Sequence, residues 1–158
     1  MTGGTTLFGG ENGDLLIARG TSSTALVAGI GNETLTGTGA FGNHIFYGNS
    51  VGADSIVGGS GKDIIFIGNN STIDGGYNTA LIVFSAGRNG GTVQVNGFRP
   101  GQGNNAKLQG YRPGEIAAYL ANSKTVTVNG LATTQITLSN GTNIQFVGVT
   151  DLKTTNFF

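Results

Sequence analysis

Three aspartates set in glycine-rich turns are the residues whose type and spacing could do chemistry. Gly58-Gly59-Ser60-Gly61-Lys62-Asp63-Ile64-Ile65-Phe66 fits the nonapeptide G-G-x-G-x-D-x-U-x, where U is a large aliphatic residue. Gly9 to Ile17 fits it with Asn12 at the fourth position and Asp14 at the sixth. Asn49 to Val57 fits it with Gly52, Asp54 and Ile56 in register. A carboxylate beside turn carbonyls is a hard oxygen donor, and calcium takes about six to eight such oxygens. The metal-ligating candidates are therefore Asp14, Asp54 and Asp63, with Gly10, Gly59 and Gly61 of their turns. A few calcium ions at most are expected. The competing reading of each aspartate is an Asx turn that caps backbone without metal.

The pattern around these turns says what must hold them. Gly75 to Val83 keeps the double glycine and puts Ile82 at the aliphatic position. Poorer copies span Arg19 to Val27, Ala28 to Thr36, Gly39 to Tyr47 and Phe66 to Asp74, with Leu26, Leu35, Phe46 and Ile73 inward. The reading is about eight half-coils from residue 9 to residue 83. Each unit is one short strand whose inward side chain meets the same position in the next coil. No unit buries that residue alone, so stacking supplies the core. The expected fold is all-β: a parallel β-roll or β-solenoid over residues 1–91, then a small β-rich module with one short helix over residues 92–158. The sixth position reads Asp14, Thr24, Glu33, His44, Asp54, Asp63, Ser71 and Ala80. Asp54 and Asp63 fall in successive half-coils and are expected on opposite edges of the roll.

Composition narrows the function. Thirty glycines and two prolines suit a chain that turns constantly yet keeps its backbone donors. Charged residues are 10% of the chain, against about 25% in ordinary domains, and the formal net charge is zero. No basic footprint for nucleic acid exists. Cysteine is absent, which excludes disulfides and a thiol nucleophile. No apolar run reaches membrane-spanning length, so no membrane insertion is expected. No cleavable export signal is visible near Met1. His44 is the lone histidine, and no serine lies in a G-x-S-x-G setting. Tyr47, Tyr77 and Tyr111 read as packing residues. The chain is not expected to be an enzyme.

After Val83 the nonapeptide period fades. Thr92 to Val95 reads as a strand and Phe98-Arg99-Pro100-Gly101 as a turn. Pro113 to Asn122 reads as a helix, with Pro113 in its first turn and Glu115 at the positive end of its dipole. Strands follow at Thr125 to Val128, Thr134 to Leu138 and Ile144 to Val149. Asn129-Gly130 and Asn140-Gly141 mark the turns between them. The polar tail Lys153 to Asn156 reads as mobile, with Phe157-Phe158 at its end.

The nonapeptides around Gly58 to Phe66 resemble the RTX, or haemolysin-type calcium-binding, repeats. Asn96-Gly97-Phe98 through Gln109-Gly110-Tyr111, the helix, Ile136 to Thr142 and Phe146 to Val149 resemble the end module of RTX proteins. The resemblance implies type I secretion through an uncleaved C-terminal signal, hence the type I secretion machinery as a partner and an extracellular or cell-surface location. It also implies folding assisted by calcium held between coils. The function expected is a secreted structural protein that self-associates, head to tail, as a matrix filament, surface layer or adhesive coat of biofilm type. The alternatives are a calcium-folding secretion module accessory to an extracellular enzyme, and a solenoid that binds glycan or ice.

Overall fold

The computed structural model describes residues 4–49, 51–76, 79–85 and 91–158. Tyr77, and parts of the units at 49–57 and 75–83, lie outside the described residues. The chain winds as a β-solenoid of about five turns. One sheet stacks β1 (Thr5–Phe8), β3 (Thr24–Val27), β5 (Ile45–Tyr47), β7 (Asp63–Phe66), β9 (Ala80–Ser85) and β11 (Asn105–Gln109), all parallel. The facing sheet stacks β2 (Leu15–Ile17), β4 (Thr34–Thr36), β6 (Ser55–Val57), β8 (Thr72–Asp74) and β10 (Thr92–Asn96), also parallel. Each coil gives one strand to each sheet, so successive half-coils alternate between them.

The core is the line of inward side chains. Leu26, Phe46, Ile65 and Ile82 stack in one sheet, and Leu16, Leu35, Ile56, Ile73 and Val95 in the other. All are buried; Leu16, in the end coil, is the least so at 7% exposure. Burying each contributes about 1.5–3 kcal/mol. The eight residues expected to point inward all do so. Period-2 alternation disfavours any other register, because a slip of one in the second sheet would put Thr34, Ser55 and Thr72 in the places of Leu35, Ile56 and Ile73.

The coil does not stop where the nonapeptide fades. β10 adds to β8 and β11 adds to β9, so both sheets run past residue 91. The second sheet then gains β14 (Asn143–Phe146), parallel to β10, and the hairpin strands β13 (Leu131–Thr137) and β12 (Lys124–Val128). Asn129 and Gly130 take φ of 51° and 78°, the two positive values of a type I′ hairpin. Helix α1 (Pro113–Ala121) begins at the expected proline, and the Arg112 N–H donates to Glu115 Oε2 at 2.6 Å. Its Ile116 is buried, and Tyr119 and Leu120 pack beside it. The tail departs from expectation. A 3₁₀ turn over Thr154–Asn156 delivers Phe157 into the core, edge-on to Phe146 at 5.9 Å. One buried aromatic ring holds a segment that is otherwise polar up to the exposed Phe158.

Candidate functional site

The sixth-position side chains gather along the two edges where coils turn from one sheet to the other. On the first edge lie Asp14, Glu33 and Asp54, directly before β2, β4 and β6. Their carbonyls accept from Thr34, Ser55 and Thr72 of the next coil at 2.8–2.9 Å, so the three residues stand in a column. On the second edge His44 and Asp63 are neighbours in the same way, and the His44 carbonyl accepts from the Ile64 N–H. Asp54 and Asp63 therefore sit on opposite edges and share no site.

Each aspartate acts as a clamp. Asp63 Oδ2 accepts the Gly59 N–H at 2.6 Å, and its Oδ1 accepts the His44 N–H of the preceding coil at 2.9 Å. Asp54 Oδ2 accepts the Asn49 N–H at 2.8 Å, and its Oδ1 accepts the Glu33 N–H at 3.1 Å. Asp14, in the end coil, accepts the Gly10 N–H at 2.5 Å. Asp54 and Asp63 are buried, so these bonds satisfy donors that water does not reach. Burial raises the Asp63 pKa, while the His44 and Gly59 N–H groups and the charge of His44 oppose that rise.

The glycines have a different part. A Cβ on Gly61 would fall 2.0 Å from the Gly42 carbonyl oxygen, and one on Gly59 would fall 2.7 Å from that of Gly37. Only a bare backbone lets these coils approach. Gly10 has no such crowding. Asp74, outside the ligand register, closes a local turn by accepting the Gly76 N–H at 3.0 Å.

Two features escape a reading based on aspartate alone. The first is an asparagine ladder. Asn12 Oδ1 accepts from Asn32, Asn32 Oδ1 from Ala53, Asn43 Oδ1 from Lys62, and Asn70 Oδ1 from Thr92. Each bond joins one coil to the next. The recurrence of Asn just before the sixth position was the available signal.

The second is Glu33. It is buried between Asp14 and Asp54, and its Oε1 has no partner among the described residues. Burial first, then a hydrogen bond with Asp54 and the charges of Asp54 and Asp14, push its pKa up to about 7. The fold thus holds this carboxyl protonated more tightly than the unfolded chain does. Its contribution is full below about pH 4.5 and is lost as pH climbs through about 7. In chelator, the wild-type melting temperature should fall by a few degrees more than that of Glu33→Gln between those two values. Parallel curves in a pH series of thermal melts would show that Glu33 is not the titrating group.

His44 is fully buried, edge-on to Phe46 at 6.3 Å, and neither ring nitrogen has a partner among the described residues. A groove of about 520 Å³ opens on the outer side of the first sheet beside β1, β3 and β5. Threonine, serine and apolar side chains line it, together with Asn43, His44 and Lys62. Among the described residues no three His, Cys, Asp or Glu side chains converge closely enough to hold a metal ion by themselves. No helix is long and apolar enough to cross a membrane among those residues. Comparison with family models, with curated proteins and with solved structures finds no match to this chain.

Proposed function

We propose that this chain is an extracellular structural protein of RTX type that self-associates into a filament, layer or coat. The observation that carries the reading is the outer face of the first sheet. Ala25, Ile45, Ile64 and Leu81 form one outward row, and Val27, Tyr47 and Phe66 form another that ends on the buried Val83. Tyr47 and Phe66 stack at 4.8 Å. No charge interrupts either row until Lys107 in β11. A regular apolar face on a net-neutral chain favours association with its own kind.

Calcium belongs to this reading at the first edge. Glu33 and Asp54 share a hydrogen bond there, the charges of Asp54 and Asp14 repel that of Glu33, and Glu33 Oε1 has no partner among the described residues. A cation held by Glu33 and Asp54 with turn carbonyls would relieve that repulsion and tie successive coils together. The second edge fits calcium poorly, because the neighbour of Asp63 in its column is His44 rather than a second carboxylate. Type I secretion stands in the same proposal, on the resemblance of the C-terminal module.

Electron microscopy of the purified chain, in millimolar calcium and in chelator, tests the reading. Ordered filaments or sheets are expected, with calcium raising their yield. Isolated particles in both conditions at high concentration would defeat it. A glycan-binding solenoid is the second reading. It is favoured by the outward row Thr34, Ser55, Thr72, Gln94, Gln145 and Gln135, which repeats hydroxyls and amides at strand spacing.

A further inference from the structure

We infer that the N-terminal end of the solenoid pairs with the same end of a second copy of this chain, through β1 and β2. The inference deepens the self-association reading and rests on it. The two ends are built differently. At the far end β11 is covered: Phe157 bridges Ala106, and the Phe158 N–H donates to the Ala106 carbonyl at 3.0 Å. The other sheet ends there in β12, which opens on Lys124 and shows Thr125 and Thr127 to solvent. A lysine on an edge strand opposes further pairing.

At the near end β1 and β2 each pair on one side only among the described residues. Their sequences, Thr-Thr-Leu-Phe and Leu-Leu-Ile, carry no charge and no proline. Leu7 continues the inward row of Leu26 yet is 37% exposed, and Phe8 and Leu15 are 74% and 61% exposed. An apolar, β-branched or aromatic edge without such guards is a template for another strand. The covered far end does not offer a matching edge, so the head-to-tail stacking expected from the repeats is blocked. The matching edge is the near end of another molecule, and contact between like ends is isologous.

Charge selects the geometry. Glu11, Asp14 and Arg19 are the charged residues of 4–23, the end coil with its turns, and Asp14 already accepts from Gly10. Glu11 lies on the turn from β1 to β2, and Arg19 on the turn that leaves β2, so they mark opposite edges of the roll. Both are exposed. A two-fold axis along the sheet normal pairs β1 with the partner's β1, and β2 with the partner's β2, both antiparallel. It exchanges the edges, so Glu11 meets the partner's Arg19 and Arg19 meets the partner's Glu11. A two-fold along the strands would set Glu11 on the partner's Glu11. The first arrangement matches charge and strand pairing together.

The test is sedimentation velocity on the full chain over a concentration series at low salt. Wild type is expected to dimerise. Glu11→Arg or Arg19→Glu alone makes both contacts repulsive and should weaken the dimer by about tenfold or more. The double variant Glu11→Arg/Arg19→Glu should return it to within about threefold of wild type. Both sites are exposed, and unchanged thermal melts would show that the fold is intact. Leu7→Lys, which charges the edge, should abolish the dimer without the reversal of the double variant. An association indifferent to both single reversals, or unrescued by the double, overturns end pairing and leaves self-association through another face. A monomer at every concentration overturns both.

Discussion

Replacing Ile65 by aspartate is expected to abolish cooperative folding. Ile65 has no exposed surface and stacks between Phe46 and Ile82 of the adjacent coils. A carboxylate there has no donor on hand, and burying it unpaired costs several kcal/mol. A domain of this size holds a total of about 5–15 kcal/mol. The control is one residue away. Ile64 points outward between Ile45 and Leu81 and is partly exposed, so Ile64→Asp should cost only about 1 kcal/mol. Urea unfolding followed by circular dichroism separates the two. Equal midpoints would mean that the faces of β7 are assigned the wrong way round.

The second large effect needs no polarity at all. Gly52→Ala adds one methyl group, yet its Cβ would lie 1.4 Å from the Gly31 carbonyl oxygen. Gly68 is in the same position against Asn49, at 1.5 Å. The obstacle is backbone in the adjoining coil, which moves only by parting the coils and their hydrogen bonds. A loss of about 3 kcal/mol or more is expected from such overpacking. Gly114→Ala, in the first turn of α1 with nothing within 4 Å of its Cβ, should instead gain about 0.5–1 kcal/mol. Thermal melts of the three variants check this. A Gly52→Ala protein as stable as wild type would disprove the close approach of those coils.

The inward series was readable because solenoid coils impose one rule many times over. A large aliphatic residue at the eighth position of a glycine-rich unit has nowhere else to go, and Leu16 through Ile82 followed it. β1 and β11 were not readable. In β1 the inward Leu7 lies at an open end, and in β11 the inward residues are Ala106, too small to announce a core position, and Leu108, outside any glycine-rich unit. The docked tail was missed because a single aromatic residue, Phe157, outweighs the polar residues around it. The three aspartates stood out through their turn motif, and they proved to be clamps on backbone N–H groups. Glu33 did not stand out, because the motif names aspartate at its place. Its setting comes from what stacks above and below, which depends on coil registers that the insertions Ala18, Gly37-Thr38 and Gly48 between units shift. The same insertions hid the asparagine ladder, whose partners lie about twenty residues apart in the chain.

One end covered by Phe157 and one end whose strands β1 and β2 pair on one side only among the described residues give this molecule a direction. In a stacked array each coil is stabilised by its own residues and by its immediate neighbours, and the end unit lacks one neighbour. Fraying therefore starts at β1 and β2 and advances like a zipper toward the hairpin, the helix and Phe157. Amide protection should rise in steps along the axis rather than lie uniformly across the protein. The coil that carries Asp14 is the first to loosen, so the acidic column would lose its outer member while Glu33 and Asp54 still stand in folded coils. Any partner that seats on the bare end stops the zipper at its first tooth, and so steadies every coil behind it.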